Sequence, residues 1–390
     1  MLESIKTPEM DKLGDMFKTA GFEIRLVGGV VRDLIAGLTP KDIDFCTDAT
    51  PEEMLALANQ HNIMVIPTGL QHGTVTFVIN NEQYEVTTLR TDIDTDGRHA
   101  TVEFVRNFEI DSARRDLSIN SMSMDFQGNI FDYFGGVEDL KAGRVRFVGD
   151  AKIRILEDYL RILRYFRFLV RFGKLSLVDI LRSHEASVIR ETRHGLTAIS
   201  GERIWAEMSK IFSLENSGVV VQAMRSLGVM RILGIPCSSS SYEFISQSND
   251  PVLNLATMVY SEDDINVLVD RWKVSSKERA RLVFYFRKDL VYRGITYDWF
   301  TYDELLSWMV RGETRENVVG MARYQDFMTG TDFAPLLEEV EIPVFPVTGA
   351  DLVQKGFKPG KEFGDILKGL KDRWIEGNYT ETKDQLLVDL

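Results

Sequence analysis

The sequence predicts an α+β multidomain protein, a head built on a mixed β-sheet followed by an all-α remainder. Three observations carry this reading. Short strand-like runs alternate with helix signals up to about residue 150. Two of those runs are joined by a hairpin signal, so the sheet cannot be wholly parallel. Beyond residue 150 the apolar residues recur at helical spacing and strand signals largely stop. At 390 residues the chain exceeds one ordinary core, and we divide it into 1–150, 151–215, 216–335 and 336–390.

Each element has its own local cause. An amphipathic stretch from Met10 to Ala20 precedes a strand, Glu23 to Val27, and Gly28-Gly29 turn the chain into a helix from Val30 to Ala36. A second strand, Asp42-Ile43-Asp44-Phe45-Cys46, leads to a helix start with Thr50 as N-cap, Pro51 at the first position and Glu53 as the capping-box acid. The runs Thr74 to Ile79 and Gln83 to Leu89, separated by Asn80-Asn81-Glu82, form the hairpin. Thr91 to His99 is polar and aperiodic, which predicts a mobile loop. From Ile153 to Phe172 one long helix is expected, with Ile155, Tyr159, Ile162, Phe166 and Leu169 on a single stripe. Further amphipathic stretches fall near 202–213, 217–227, 251–259, 262–272, 275–288 and 302–310, and Cys237 to Ser241 reads as a loop.

Hydrophobic residues at 44% and charged residues at 27% give the balance of a soluble globular protein, and no apolar run is long enough to cross a bilayer. The stretch Met1 to Lys6 has neither the form of a secretory signal nor that of an Arg-rich presequence. Two cysteines, Cys46 and Cys237, give no metal spacing and no disulfide framework, so a cytoplasmic location is expected. No segment points to an obligate protein partner or to a membrane. The net charge of −13 argues against a protein that coats nucleic acid over its whole surface. Between Lys141 and Lys174, however, ten Lys/Arg face only Asp150, Glu157 and Asp158, a local excess of +7. Such a track can hold phosphates while the rest of the surface stays acidic.

Asp42 and Asp44 lie two apart in a strand-like segment, so both carboxylates project from one face. A hard divalent ion takes carboxylate oxygens together with substrate phosphate oxygens. Just upstream, Gly28 and Gly29 let backbone N–H groups approach a triphosphate at a helix start. Arg32 supplies a charge for phosphate or for an internal ion pair, and Glu85, on the neighbouring hairpin strand, is a possible third carboxylate.

Gly28-Gly29-Val30-Val31-Arg32-Asp33 followed by Asp42-Ile43-Asp44 resembles the signature of the polymerase-β-like nucleotidyltransferase superfamily, and most closely that of the class II tRNA nucleotidyltransferases, or CCA-adding enzymes. The resemblance implies a polymerase-β-like head with helical neck, body and tail. It implies Mg²⁺, as a two-metal site, on Asp42 and Asp44, and a triphosphate against Gly28, Gly29 and Arg32. Arg114-Arg115-Asp116 resembles the family's Arg-Arg-Asp motif, which makes Arg115 and Asp116 nucleotide-binding candidates. Glu157-Asp158-Tyr159-Leu160-Arg161 resembles its Glu-Asp-x-x-Arg motif, with Tyr159 where many members carry proline. Asp158 accepts hydrogen bonds and Arg161 donates them. The amino group beside a ring nitrogen in cytosine and adenine matches that pair, whereas uracil and guanine do not, so C and A can be chosen without a template.

Arg164 joins the nucleotide-binding candidates. Lys152, Arg154 and Arg167 are RNA-binding candidates, as are Lys358 and Lys361 in a stretch that resembles the family's tail. Ser200 to Glu207 resembles its neck helix, and the loop after Arg90 corresponds to one that assists the change from C to A addition. The expected partners are therefore the tRNA 3′ end, CTP and ATP. The nearest rivals are a bacterial-type poly(A) polymerase and an enzyme that adds only A. The rival from another class is a non-catalytic RNA-binding protein, against which the intact carboxylates speak.

Overall fold

The computed structural model describes residues 2–95, 100–174, 176–236, 242–287, 299–388 and 390. The chain forms two compact units, 1–279 and 280–390. The first unit begins with α1 (Pro8–Thr19), β1 (Ile24–Val27), α2 (Gly29–Ile35), β2 (Asp44–Thr47), α3 (Pro51–Gln60) and β3 (Met64–Gly69). There follow β4 (Thr74–Ile79), β5 (Glu82–Thr88), β6 (Arg90–Thr95), β7 (Ala100–Phe104), α4 (Phe108–Ala113), β8 (Ser123–Met124) and β9 (Ile130–Phe131). Past β9 the described chain is helical, beginning with α5 (Gly136–Ala142), α6 (Ala151–Glu157), α7 (Arg161–Phe172), α8 (Leu177–Arg182), α9 (His184–Thr192) and α10 (Gly201–Phe212).

The seven-stranded sheet has the order β3-β4-β5-β2-β1-β8-β9. Only β2 and β5 pair parallel; every other neighbouring pair is antiparallel, so the sheet is mixed as expected. Alternation along its strands sends Leu26, Phe45, Val75, Phe77 and Val86 into a core shared with Phe17 of α1, Val31 of α2 and Met54 of α3. Local signals place several of these elements. Thr50 and Glu53 form the reciprocal capping box at the start of α3, with Pro51 in its first turn. The β4–β5 hairpin turns at Asn80 and Asn81, both at positive φ (51° and 70°), the twist that a tight two-residue hairpin needs.

Three expectations are corrected, and one strand was missed. β2 starts at Asp44, so Asp42 lies in the lead-in to the strand instead of on it. The stretch expected as a loop after Arg90 is largely a two-stranded ladder of β6 and β7, with Thr91 paired to Glu103, Asp92 to Val102, Asp94 to Thr101 and Thr95 to Ala100. The β-branched residues Thr91, Ile93, Thr95, Thr101 and Val102 favour extended backbone there, and residues 96–99 lie outside the described residues. The long helix is broken: Asp158 is extended (φ −154°, ψ 106°), separating α6 from α7. The apolar stripe hid this break, because Ile155, Ile162, Phe166 and Leu169 are all buried while Tyr159 packs against Gly195. β3 was not anticipated. The loop expected at Cys237 to Ser241 lies outside the described residues.

The second unit is helical where it is described. Tyr302–Val310, Arg315–Thr329, Phe333–Glu339, Gly349–Gln354, Lys361–Glu376 and Lys383–Leu386 are helices, with a core that includes Val347, Leu352, Leu370, Trp374 and Leu386. Among the described residues no helix is long and apolar enough to cross a membrane.

Candidate active site

One cleft of about 1150 Å³, lying wholly within the first unit, collects most of the residues singled out from the sequence. Its wall includes Gly28, Gly29, Arg32, Asp42, Asp44, Arg115, Asp116, Asp158, Arg161, Arg164 and Arg167. It is larger than most small-molecule pockets, leaving room for more than a nucleotide. Lys152, Arg154, Glu85, Lys358 and Lys361 are not among its lining residues.

Asp42 and Asp44 face this cleft with no hydrogen-bond or ion-pair partner among the described residues, while Ile43 packs against the core and Phe45 is buried in it. Asp44 begins β2 opposite Glu85 of β5 in the parallel pair, and Glu85 is exposed. The protein mass around Asp44 raises its carboxyl above the ordinary range, Glu85 and then Asp42 raise it further, and Arg115 opposes them. Two unpaired carboxylates that repel each other across an open cleft are the donor set a hard cation suits. Among the described residues no three His, Cys, Asp or Glu side chains converge into a metal site on their own. A cation here would therefore complete its shell with substrate oxygens and water.

Gly28 opens α2 at φ +69°, and a Cβ on it would lie 2.8 Å from Nη1 of Arg115. Glycine is required there for both reasons. Arg32 is buried: its Nε donates to Asp33 (2.9 Å), its Nη1 to Asn120 (2.6 Å), and its guanidinium lies 4.8 and 4.9 Å from the rings of Phe168 and Phe172. The ion pair with Asp33 that the sequence allowed is thus present. Arg114 and Arg115 both donate to the buried Asp111 of α4, whose carboxyl is held low because the two guanidiniums outweigh the cost of burial. Asp116 is likewise held low against burial, chiefly by Arg164 (Nε donating at 2.7 Å), with further bonds from Asn120 and the Leu117 N–H. With those acceptor sites in use, Asp116 principally orients Arg164.

The base-reading candidates do not pair with each other. Asp158 accepts from the Leu160 N–H (3.1 Å), an Asx turn that opens α7, and from Arg203 of α10 (2.6 Å). Arg161 donates to Glu157 (2.7 Å) and to the carbonyls of Arg154 and Arg114 (3.1 Å each). The expected contact between helical neighbours is therefore replaced by two separately anchored groups on one cleft wall. That arrangement leaves a carboxylate edge and a guanidinium edge for a ligand. The turn forms with Tyr159 in place of proline.

The cationic track is less free than the residue count suggested. Eight of its ten members carry acid partners: Arg144 and Arg146 on Asp139, Lys152 on Glu191, Arg154 and Arg161 on Glu157, Arg164 on Asp116, Arg167 on Glu207 and Arg171 on Asp33. Arg154 also donates to the Ala113 carbonyl, so its guanidinium ties the helix to the head. Lys358 and Lys361 are exposed on the second unit, Lys361 at the start of its longest helix. Asp111, Asn120, Arg203, Glu207 and Phe168 were not singled out from the sequence. The only signal for Asn120 was its place four residues beyond Asp116.

Residues 24–146 match the family model described as the poly A polymerase head domain, and 185–235 match one described as a probable RNA and SrmB-binding site of polymerase A. Over its whole length the chain is 40% identical to the mitochondrial CCA tRNA nucleotidyltransferase 1 of Danio rerio, covering 91% of that protein. It is 31% identical to the CCA-adding enzyme of Ligilactobacillus salivarius, over 96% of this chain and 93% of that one. Its fold matches the Bacillus stearothermophilus CCA-adding enzyme in complex with CTP at a TM-score of 0.72 and 25% identity, over 96% of this chain and 94% of that one. With catalytic-head motifs, cleft and full-length likeness in agreement, the chain belongs to the CCA-adding tRNA nucleotidyltransferase family.

Proposed function

We infer that the protein adds CMP and AMP, from CTP and ATP, to the 3′ end of tRNA without a template and with release of pyrophosphate. The observation that carries this is the pair of unpartnered carboxylates, Asp42 and Asp44, in the same cleft as a separately anchored Asp158 and Arg161. The reaction is attack of the RNA 3′-hydroxyl on the α-phosphorus of the incoming nucleotide. The Gly28-Gly29 turn lets the backbone approach the triphosphate, and Arg115 and Arg164 balance its charge from fixed positions. Arg32 holds Asn120 and, through it, Asp116. Asp158 accepts from the amino group of C or A while Arg161 donates to the adjacent ring nitrogen.

Nucleotidyltransferases of this kind use divalent metal ions. We assign Mg²⁺, as a pair of ions, to Asp42 and Asp44, with Glu85 close enough to act on Asp44 electrostatically. When bound, the metal lowers the pKa of the attacking hydroxyl and neutralises charge on the phosphates. We retain the division into a catalytic head (1–150), a neck (151–215), a body (216–335) and a tail (336–390), with Lys152, Arg167, Lys358 and Lys361 as RNA contacts. Arg154 is the weakest member of that set, given its internal bonds. We place the protein in the cytoplasm, because its two cysteines, Cys46 and Cys237, stand in unrelated contexts and offer no disulfide framework. The Danio rerio relative is named as mitochondrial, so a tagged copy imaged against organelle markers is the check.

The decisive experiment supplies tRNAs lacking the whole CCA end, its last CA, or its final A, each with CTP, ATP or both. Completion of all three with both nucleotides is expected. Completion of the last substrate alone would mean A-only addition, and long tails from ATP alone would overturn the reading in favour of a poly(A) polymerase.

A further inference from the structure

A second cavity of the first unit, about 640 Å³, shares no lining residue with the active-site cleft. Its wall carries Arg190, Arg193, Arg225 and Arg231 against one carboxylate, Asp264. That carboxylate accepts the Tyr260 N–H (3.0 Å) and forms no ion pair with any of the four. Arg225 donates to the Tyr242 hydroxyl (3.1 Å), whereas Arg190, Arg193 and Arg231 have no hydrogen-bond or ion-pair partner among the described residues. Two glycines let cations press against the wall. A Cβ on Gly228 would lie 3.0 Å from Nε of Arg193, and one on Gly234 3.0 Å from Nη1 of Arg271. In a protein of net charge −13, with carboxylates in excess, Arg190, Arg193 and Arg231, gathered without acid partners among the described residues, repel one another unless an anion joins them.

We propose that this pocket binds backbone phosphates of the RNA substrate, at a point separate from the nucleotide cleft. Guanidinium forks match phosphate oxygens two at a time and stay charged at all working pH values. The cavity is open, and although Leu227, Met230, Ile235 and Pro236 form part of its wall, no aromatic ring among the described residues lines it to stack on a nucleobase, so its arginines suit a phosphate chain better than a whole nucleotide. Contacts of this type hold an RNA in place without reading its sequence, which an enzyme serving every tRNA needs. The proposal rests on the function inferred above. It also narrows the 185–235 likeness to particular side chains and to one chemical group.

The test uses the full chain with Arg190→Glu/Arg231→Glu, both exposed positions, and with Arg193→Gln as a second variant. Thermal melts compare their folding with wild type. tRNA affinity is measured by filter binding without turnover over a range of salt, and KM and kcat are measured for tRNA and for each nucleotide. We expect tRNA to bind the double variant roughly tenfold or more weakly, with a salt slope shallower by about one for each phosphate lost. Nucleotide KM values, kcat and addition to a short RNA that spans only the cleft should stay within about twofold of wild type. Unchanged tRNA affinity and salt slope in both folded variants would overturn the proposal. A raised nucleotide KM with unchanged tRNA binding would also overturn it, assigning the pocket to free phosphates such as ATP or pyrophosphate. Since binding is read apart from incorporation, an inactive wild type would count against the inferred function and not against this site.

Discussion

The nucleotide cleft and the pocket around Arg193 are both rich in arginine, yet they hold their charges in opposite ways. In the cleft, Arg115, Arg161, Arg164, Arg167, Arg171 and Arg203 each lean on an acid. At the pocket Arg190, Arg193 and Arg231 have none among the described residues. A tethered guanidinium has lost its rotamer freedom before the ligand arrives, and its remaining N–H groups point one way; this suits discrimination between bases. An untethered one contributes attraction over a Debye length but little geometry, which suits capture of a polyanion. The carboxylates divide likewise: of the four that line the cleft among the described residues, Asp116 and Asp158 hold arginines, and Asp42 and Asp44 have no partner.

The largest effect follows from removing that exception. Asp42→Ala or Asp44→Ala should lower incorporation by three orders of magnitude or more, about 4 kcal/mol, while circular dichroism stays native. Asp44→Asn adds a sign test. Because the folded carboxyl of Asp44 sits above its ordinary value, ionising it costs stability as pH rises past about 4. The variant should therefore melt higher than wild type at pH 7 and no higher below pH 4. Mg²⁺ should raise the melting temperature of wild type but not of the variant. A melting temperature lowered at pH 7 would mean that Asp44 has a structural partner after all.

Next in size is the loss of a tether. Asp116→Ala strands Arg164, and we expect about 2–3 kcal/mol of destabilisation once solvent on the open side of Arg164 is discounted. Asp111 and Asp116 are both held below their ordinary range, so the stability they add is present above about pH 4 and lost as pH falls through their folded values. Denaturant melts of wild type between pH 7 and pH 3 should show this loss, and a flat profile would speak against both tethers.

Arg161→Ala should then cost roughly 1–3 kcal/mol of choice among the four nucleotides, read as the ratio of kcat/KM values. Since that choice is made by fixed hydrogen bonds, it should be nearly indifferent to salt, whereas tRNA binding should weaken steeply; a strong salt dependence of selectivity would erase the contrast between the two regions. The smallest change belongs to Lys358→Ala/Lys361→Ala on the second unit. Exposed single contacts of this kind should raise tRNA KM by less than about threefold.

These comparisons also separate what could be read along the chain from what could not. The carboxylates, the glycine turn, the capping box at Thr50 and the Asn80-Asn81 hairpin were legible because each depends on neighbours within a few residues. The break at Asp158 was not legible, because two short helices and a turn keep the same apolar phase as one long helix. The arms of the β6–β7 hairpin were hidden by polar residues that satisfy a ladder as well as a loop. The charge excess of 141–174 was counted correctly and interpreted too freely, since most of its acid partners lie outside the segment.

The order of residues by itself determined the mixed-sheet head, the helical remainder, the pair of carboxylates at the cleft and the family, because alternation, turn chemistry and motif spacing act over short stretches of chain. Tertiary structure decided which charges are spoken for: Arg164 meets an aspartate 48 residues away and Arg171 one 138 residues away. An ion pair depends on distance in space, and folding alone brings such groups within reach while leaving Asp42, Asp44, Arg190, Arg193 and Arg231 without a match among the described residues.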